Sequence, residues 1–199
     1  VAAAGSNLVI VRVGGAASVN AQGPAETLDK MEVVVEHGEL EIRPKREFRN
    51  HFDWHGLPRA TFTVTVPRLT AAALAGSGQM RVDRAEGDRF AASVAGSGDL
   101  DIAALHVERA QLSMAGSGNL TAHGSAGRAD VSVAGSGSVH TRGVTSRTAS
   151  LSIAGSGGAE LTAQDTASVS IIGSGTAKVA GPAHCTVSRI GSGHAECNA

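Results

Sequence analysis

The sequence is poor in aromatic residues: no tyrosine, one tryptophan and four phenylalanines, together 3% of its 199 residues. Glycine is abundant by comparison, with 26 residues, and hydrophobic residues still account for 42%. A chain of this length and hydrophobic content can bury a core. That core has to be built from small aliphatic side chains, so we expect thin, closely stacked layers.

Long apolar runs and blocks of one charge are also missing. No segment approaches the roughly 20 apolar residues that a membrane-spanning helix needs. Because 17 basic and 18 acidic residues give a formal net charge of −1 and no basic block stands out, we expect no nucleic-acid partner. The first residues, VAAAGSN, lack the basic region and apolar core of a signal peptide, so an export signal is expected to have been removed.

A Gly-Ser-Gly triplet recurs seven times, starting at residues 76, 96, 116, 135, 155, 173 and 191. When the copies are aligned, the positions two and four before the first glycine, and four and six after it, are mostly apolar. Alternation with a period of two is typical of strands with one buried face, and a fixed repeat length indicates a solenoid. The sequence therefore predicts an all-β parallel solenoid with rungs of 18–20 residues.

The triplet could in principle be a phosphate-binding loop or a nucleophile elbow. Each of these motifs requires a following helix, and none is predicted after any copy. We interpret the triplet as a corner of the rung, with both glycines facing inward and the serine facing outward. We predict no catalytic residue, metal ligand or cofactor site there.

The chain divides into residues 71–199, which carry the seven triplets, and residues 1–70, which lack them. The N-terminal segment alternates like strands, so we expect it to be β-rich and continuous with the solenoid. Since the open end of a solenoid exposes unpaired backbone, we predict that this segment starts or caps the stack.

A serine recurs three residues before the triplet in six successive copies. One interpretation is a wall selected for close stacking, or one covered by another part of the chain. The alternative is a docking face for a second copy of the protein or for a regular polymer surface. The six serines are Ser93, Ser113, Ser132, Ser152, Ser170 and Ser188.

The segment 45–56, KREFRNHFDWHG, holds three of the five aromatic residues. It is a candidate binding loop for a glycan or protein, and the alternative is that its rings pack on the scaffold. A metal site made by its alternating histidines and Asp53 is a third, weaker interpretation. The candidate binding residues are Phe48, His51, Phe52, Trp54 and His55.

The two cysteines, Cys185 and Cys197, are equally distant from Gly191 in the last triplet. Strands that fold back around this turn would bring them face to face, so we predict a disulfide. A disulfide implies an oxidising compartment. Two cysteines without a CxxC arrangement or nearby histidine pairs are a weak zinc signal.

The ordered set QGPAETLDKMEVVVEHGELEIRPK, TVTVPRLTAAALAGSGQMRVD, the repeated AGSG and the closing CTVSRIGSGHAEC resembles the head GIN domain family. This is a bacterial domain family of unknown function whose members are named auto-transporter adhesins. The resemblance implies a right-handed β-helix and export to the periplasm, outer membrane or cell surface. It supplies no catalytic residues.

Three functions remain open at this stage. The first is a noncatalytic, exported surface protein that acts as an adhesin or binding scaffold for a surface glycan or protein. The second is a structural module of an envelope complex that associates with itself as a homo-oligomer. The third is a polysaccharide-active enzyme, for which Asp83, Asp99 and Asp101 form the nearest carboxylate cluster.

Overall fold

In the computed structural model, which describes residues 1–48 and 58–198, the chain is a β-solenoid of about six turns. The predicted all-β architecture is confirmed. One short helix, α1 (Ala25–Leu28), and a 3₁₀ turn at Arg46–Phe48 are the helical elements among the described residues. The strands are β1 (Ala2–Gly5), β2 (Leu8–Val13), β3 (Ser18–Gln22), β4 (Met31–Glu36), β5 (Glu39–Pro44), β6 (Thr61–Val66), β7 (Ala71–Gly76), β8 (Gln79–Val82), β9 (Ala85–Gly96), β10 (Asp99–Gly116), β11 (Asn119–Gly135), β12 (Ser138–Gly155), β13 (Gly158–Gly173), β14 (Thr176–Ala180), β15 (His184–Ile190) and β16 (His194–Asn198).

Backbone pairing runs between rungs and is parallel along the stack. The strand segments that precede the triplets form one stack. Neighbouring strands in this stack pair in the order β1, β7, β9, β10, β11, β12, β13, β15. The segments that follow the triplets form a second stack, which begins with β6. Neighbouring strands in it pair in the order β6, β2, β8, β10, β11, β12, β13, β14, β16. Each long strand therefore contributes to more than one wall, and breaks in register separate its segments.

The N-terminal segment supplies a rung that the sequence pattern does not reveal. Gly5 pairs in register with Gly76, and Leu8 pairs with Gln79, so β1 and β2 occupy the positions of a rung. Gly5, Ser6 and Asn7 stand where the other rungs have Gly-Ser-Gly. Beyond this rung, the antiparallel pairs β4–β5 and β3–β6 border the sheet.

The core consists of the inward columns of these stacked strands. Aliphatic residues from successive rungs follow one another, such as Leu112, Val131 and Leu151, each about 4.8 Å from the next. Two phenylalanines, Phe62 and Phe90, are also fully buried. The small number of rings is sufficient because each rung encloses only a thin layer of side chains.

The two glycines of the triplet are required for different reasons. The first glycine has a φ between 105° and 128° in all seven copies, a conformation that residues with a Cβ rarely adopt. The second glycine is buried directly above the preceding rung, and a Cβ on Gly118 would overlap the carbonyl oxygen of Gly98. The prediction that both glycines face inward is wrong for the first one, which is exposed or half-buried because the chain bends outward there.

The predicted disulfide between Cys185 and Cys197 is confirmed, with the two Cα atoms 6.4 Å apart. Its geometry differs from strands folding back on each other, because β15 pairs with β13 and β16 with β14. Cys185 follows the buried Ala167 in one inward column, and Cys197 follows the buried Val179 in another. The disulfide thus joins two walls at the end of the stack, where Cys185 is half-buried and Cys197 is exposed.

Candidate binding surface

One wall of the solenoid has a flat outer face, formed by the strand segments that precede the triplets; we call it the serine wall. The six predicted serines lie in one outward column of this wall and pair in register from rung to rung. Each of them is exposed, so no described segment covers the column. Whether a ligand docks on it stays a prediction.

A second outward column of the serine wall stands one residue before the triplet and is apolar. Exposed alanines fill it from Ala75 to Ala154, and the last two rungs carry Ile172 and Ile190. These isoleucines are 56% and 70% exposed. Large exposed aliphatic side chains on neighbouring strands make this end of the wall more hydrophobic than the rest.

The hairpin β4–β5 extends the wall at its N-terminal end and is held by a charged cluster around Arg43. Its guanidinium donates to Glu32 at 2.9 Å, Glu36 at 3.2 Å and Glu41 at 2.5 Å. The hydrogen bond to Glu32 is the main reason that the pKa of Arg43 is raised. Glu41 pairs with Ala2, so its position continues the serine column onto the hairpin.

A third outward column stands seven residues before the triplet and begins with three arginines. Arg89, Arg109 and Arg128 are in register on successive strands. Arg128 donates to Asp130 through Nε at 3.0 Å and Nη2 at 2.8 Å, and these hydrogen bonds raise its pKa. Neither Arg89 nor Arg109 forms an ion pair within 4.0 Å with the residues that the structure describes.

This arginine column was missed at the sequence level, although the signal is present in the repeat alignment. At seven residues before the triplet, the copies from the second onward have Arg, Arg, Arg, Thr, Thr and His. The column lies beside a depression of about 290 Å³, whose lining includes Arg89, Arg109 and Gln111. Because the arginine column faces outward, its guanidinium groups lie on the serine wall.

Two of the three carboxylates considered for catalysis form hydrogen bonds within the scaffold. Asp83 Oδ1 accepts the backbone N–H of Val13 at 2.9 Å, and Asp99 accepts an amide hydrogen of Asn119 at 2.9 Å. Asp101 pairs in register with Arg81, but the described residues contain no ion pair between these two. Asp83 and Asp99 are thus engaged in hydrogen bonds to neighbouring rungs.

The candidate loop is only partly described. Phe48 ends the 3₁₀ turn and is half-buried, whereas His51, Phe52, Asp53, Trp54 and His55 lie outside the described residues. Within residues 1–48 and 58–198, no group of three or more His, Cys, Asp or Glu side chains could hold a metal ion. No helix in that part of the chain is long and apolar enough to span a membrane.

The family model described as "Putative auto-transporter adhesin, head GIN domain" matches residues 1–183. No curated protein matches the chain.

Several solved structures share the fold across nearly the whole chain. A protein from Bacteroides fragilis, described as a putative adhesin, is 19% identical with a TM-score of 0.91, covering 99% of this chain and 90% of that one. A protein from Parabacteroides distasonis, described as a putative lipid binding protein, is 22% identical with a TM-score of 0.75, covering 98% and 89%. A putative adhesin from Parabacteroides merdae is 15% identical with a TM-score of 0.69, covering 98% and 89%. At these identities the likeness concerns the fold.

Proposed function

Because the chain belongs to the head GIN domain family, we propose that it is a noncatalytic, exported protein of the bacterial cell envelope that binds its partner through the serine wall. The observation that carries this proposal is the column of six exposed serines in register. The names given to the family and to its structural neighbours support an adhesin-like surface role.

The serine wall suits repeated weak contacts. Hydroxyl groups recur about every 4.8 Å along the axis, because each rung contributes one serine to the column. Exposed alanines border the column on the side of the triplet, so no long side chain has to lose conformational freedom there when a partner docks. A regular polymer could therefore meet the same donor and acceptor on every rung.

The disulfide supports export as the setting. Structural disulfides persist in oxidising compartments such as the periplasm or the cell surface. Here the bond between Cys185 and Cys197 cross-links two strands of the last rung. The end of the stack would lose this cross-link in a reducing compartment.

Self-association is the second candidate function, and the exposed isoleucines favour it. Ile172 and Ile190 lie on adjacent strands at one end of the serine wall. Two copies that cover these residues mutually would remove them from water. Sedimentation equilibrium over a hundredfold range of concentration tests this candidate, and a monomer throughout the range would exclude it.

The experiment for the main proposal compares two doubly substituted variants on an array of polysaccharides and surface proteins. Ser132→Gln with Ser152→Gln enlarges two adjacent positions of the serine wall. Ser125→Gln with Thr145→Gln enlarges two exposed positions that are also in register, on a different segment of the rung. We expect the first pair to weaken binding about tenfold and the control pair to leave it unchanged.

Circular dichroism and the unfolding midpoint confirm that both variants keep the fold. Equal weakening by the two pairs, or unchanged binding by the first, would contradict docking on the serine wall. Absence of binding by the folded wild-type protein to every immobilised polysaccharide and surface protein would overturn the adhesin role.

A further inference from the structure

The arginine column on the serine wall contains an uncompensated positive charge. Arg89 and Arg109 pair in register on adjacent strands, so their Cα atoms are about 4.8 Å apart. Like charges directly opposite each other on a sheet repel. Arg128, the next member, is neutralised by Asp130, but no described carboxylate lies within ion-pair distance of the first two.

The surroundings of these two guanidinium groups are rich in hydrogen-bond donors. The depression of about 290 Å³ is lined by Thr70, Arg89, Arg109, Gln111 and Asp130, with Phe90 and Ala91 completing it. Asp130 is its one carboxylate, and both of its oxygens already accept hydrogen bonds from Arg128. An anion that enters the depression would meet two guanidinium groups, a hydroxyl and an amide.

We propose that this depression binds the carboxylate or sulfate groups of an acidic polysaccharide that lies along the serine wall. The inference rests on the proposed function and gives it a ligand class. A guanidinium group presents a planar fork of donors that matches the two oxygens of a carboxylate or sulfate. The serine column lies four residues from the arginine column along each strand, on the same outward face, and can bond sugar hydroxyls.

Charge, rather than ring stacking, is the recognition chemistry available on this wall. Among the described aromatic residues, Phe62 and Phe90 are buried and Phe48 is half-buried, so none offers an open ring face there. A neutral glycan could form hydrogen bonds on this wall but would leave its positive charge without a counter-charge. An acidic glycan would in addition neutralise Arg89 and Arg109, for which the described part of the chain supplies no ion pair.

A membrane surface matches the wall less well. Segments that bind anionic lipids typically carry a larger cluster of basic residues and insert apolar side chains beside it. Here two arginines, with no ion pair within residues 1–48 and 58–198, stand among serines and alanines. The exposed Ile172 and Ile190 lie on rungs at the opposite end of the stack from Arg89.

Binding of polygalacturonate, measured by isothermal titration calorimetry, tests the proposal. Dextran serves as the neutral polymer, and vesicles of phosphatidylcholine with one-fifth phosphatidylglycerol serve as the anionic lipid surface. The variant is Arg89→Gln with Arg109→Gln. Its matched control is Arg142→Gln with Arg147→Gln, which changes the net charge equally at exposed positions outside the serine wall.

We expect wild-type protein to bind polygalacturonate and not dextran, with an affinity that falls as salt is raised. The arginine variant should lose at least about tenfold in affinity, because charge-assisted hydrogen bonds are lost. The control should retain wild-type affinity. The affinity of Arg89→Lys with Arg109→Lys should fall between that of the wild type and that of the glutamine variant, since lysine keeps the charge and loses the planar fork.

Several outcomes would overturn the inference. These are equal binding by the arginine variant and the wild type, equal weakening by the control, and binding to vesicles without binding to polygalacturonate. Wild-type binding to a neutral glycan alone would overturn the acidic ligand class while leaving the serine wall as the docking face. Binding of polygalacturonate that depends on the arginines but is unchanged by Ser132→Gln with Ser152→Gln would support the depression and contradict docking along the serine column.

Discussion

Replacing Gly118 with alanine should destabilise the solenoid because the added methyl group has no room between two rungs. Gly118 is buried, and its φ lies outside the range that favours glycine, so the backbone itself is compatible with alanine. A Cβ there would overlap the carbonyl oxygen of Gly98 and lie 3.0 Å from its carbonyl carbon. The obstacle is therefore the spacing of the rungs.

The cost can be worked out from the bonds that hold the corner. To admit the methyl group, the rungs must separate at the hydrogen bonds from Asn119 N to Gly98 O and from Gly118 N to Gly96 O, both 3.2 Å. Each is worth about 1 kcal/mol, and overpacking adds about 1–3 kcal/mol. Alanine also lowers the entropy of the unfolded chain, and this raises the free energy of unfolding by about 0.4–1 kcal/mol. We expect a net loss of about 2–5 kcal/mol.

Urea unfolding followed by far-ultraviolet circular dichroism measures this loss. Gly87→Ala is the matched control, because Gly87 has a φ of 129° and no atom within 4 Å of an added Cβ. That variant isolates backbone strain, which costs about 1–3 kcal/mol of stability. The lower entropy of its unfolded chain offsets part of this cost, as it does at Gly118. Gly116→Ala combines both effects and should be the most destabilised variant.

The loss at Gly118 decides the question. If Gly118→Ala keeps the wild-type free energy of unfolding, the rung spacing does not require the second glycine. The triplet would then owe its repetition to backbone conformation at the first glycine alone. A loss at Gly118 that exceeds the control supports close approach of the rungs as the reason.

Three further predictions concern the core, the disulfide and the arginines. Leu112→Ala should cost about 2–5 kcal/mol of unfolding free energy because Leu112 is 1% exposed, whereas the exposed neighbour Ser113→Ala should stay within about 0.5 kcal/mol of wild type in the same urea assay. Reducing the bond between Cys185 and Cys197 should cost about 3 kcal/mol; two free thiols titrated in unreduced, unfolded protein would contradict the bond. Arg109→Gln should leave the thermal midpoint unchanged or raise it at low salt, because it removes repulsion within the arginine column; a lowered midpoint would show that this side chain stabilises the fold.

The repeat alone predicted most of the solenoid. Alternation with a period of two assigns each side chain to one face or the other, and a constant repeat length brings equivalent positions into register. The serine column from Ser93 to Ser188 is therefore paired as the alignment predicts. The pairing of the two cysteines was also predictable, since both lie in the last rung.

Other features depended on contacts that a periodic pattern does not contain. The rung formed by β1 and β2 was missed because Asn7 stands where the second glycine is expected. Asn7 instead accepts the N–H of Ala60 at 3.0 Å through its side chain. Asparagine is possible there because Asn7 belongs to the first rung of the stack.

What the sequence by itself determined is the face of each strand on which a residue lies, since that follows from local backbone geometry. The tertiary structure alone decided which columns share a wall, because this depends on where each rung bends. It also decided that Arg128 has a carboxylate partner while Arg89 and Arg109 have none among the described residues, because ion pairs depend on distances between side chains. The binding surface is therefore readable from sequence as a set of columns, and its charge becomes evident only when the rungs are stacked.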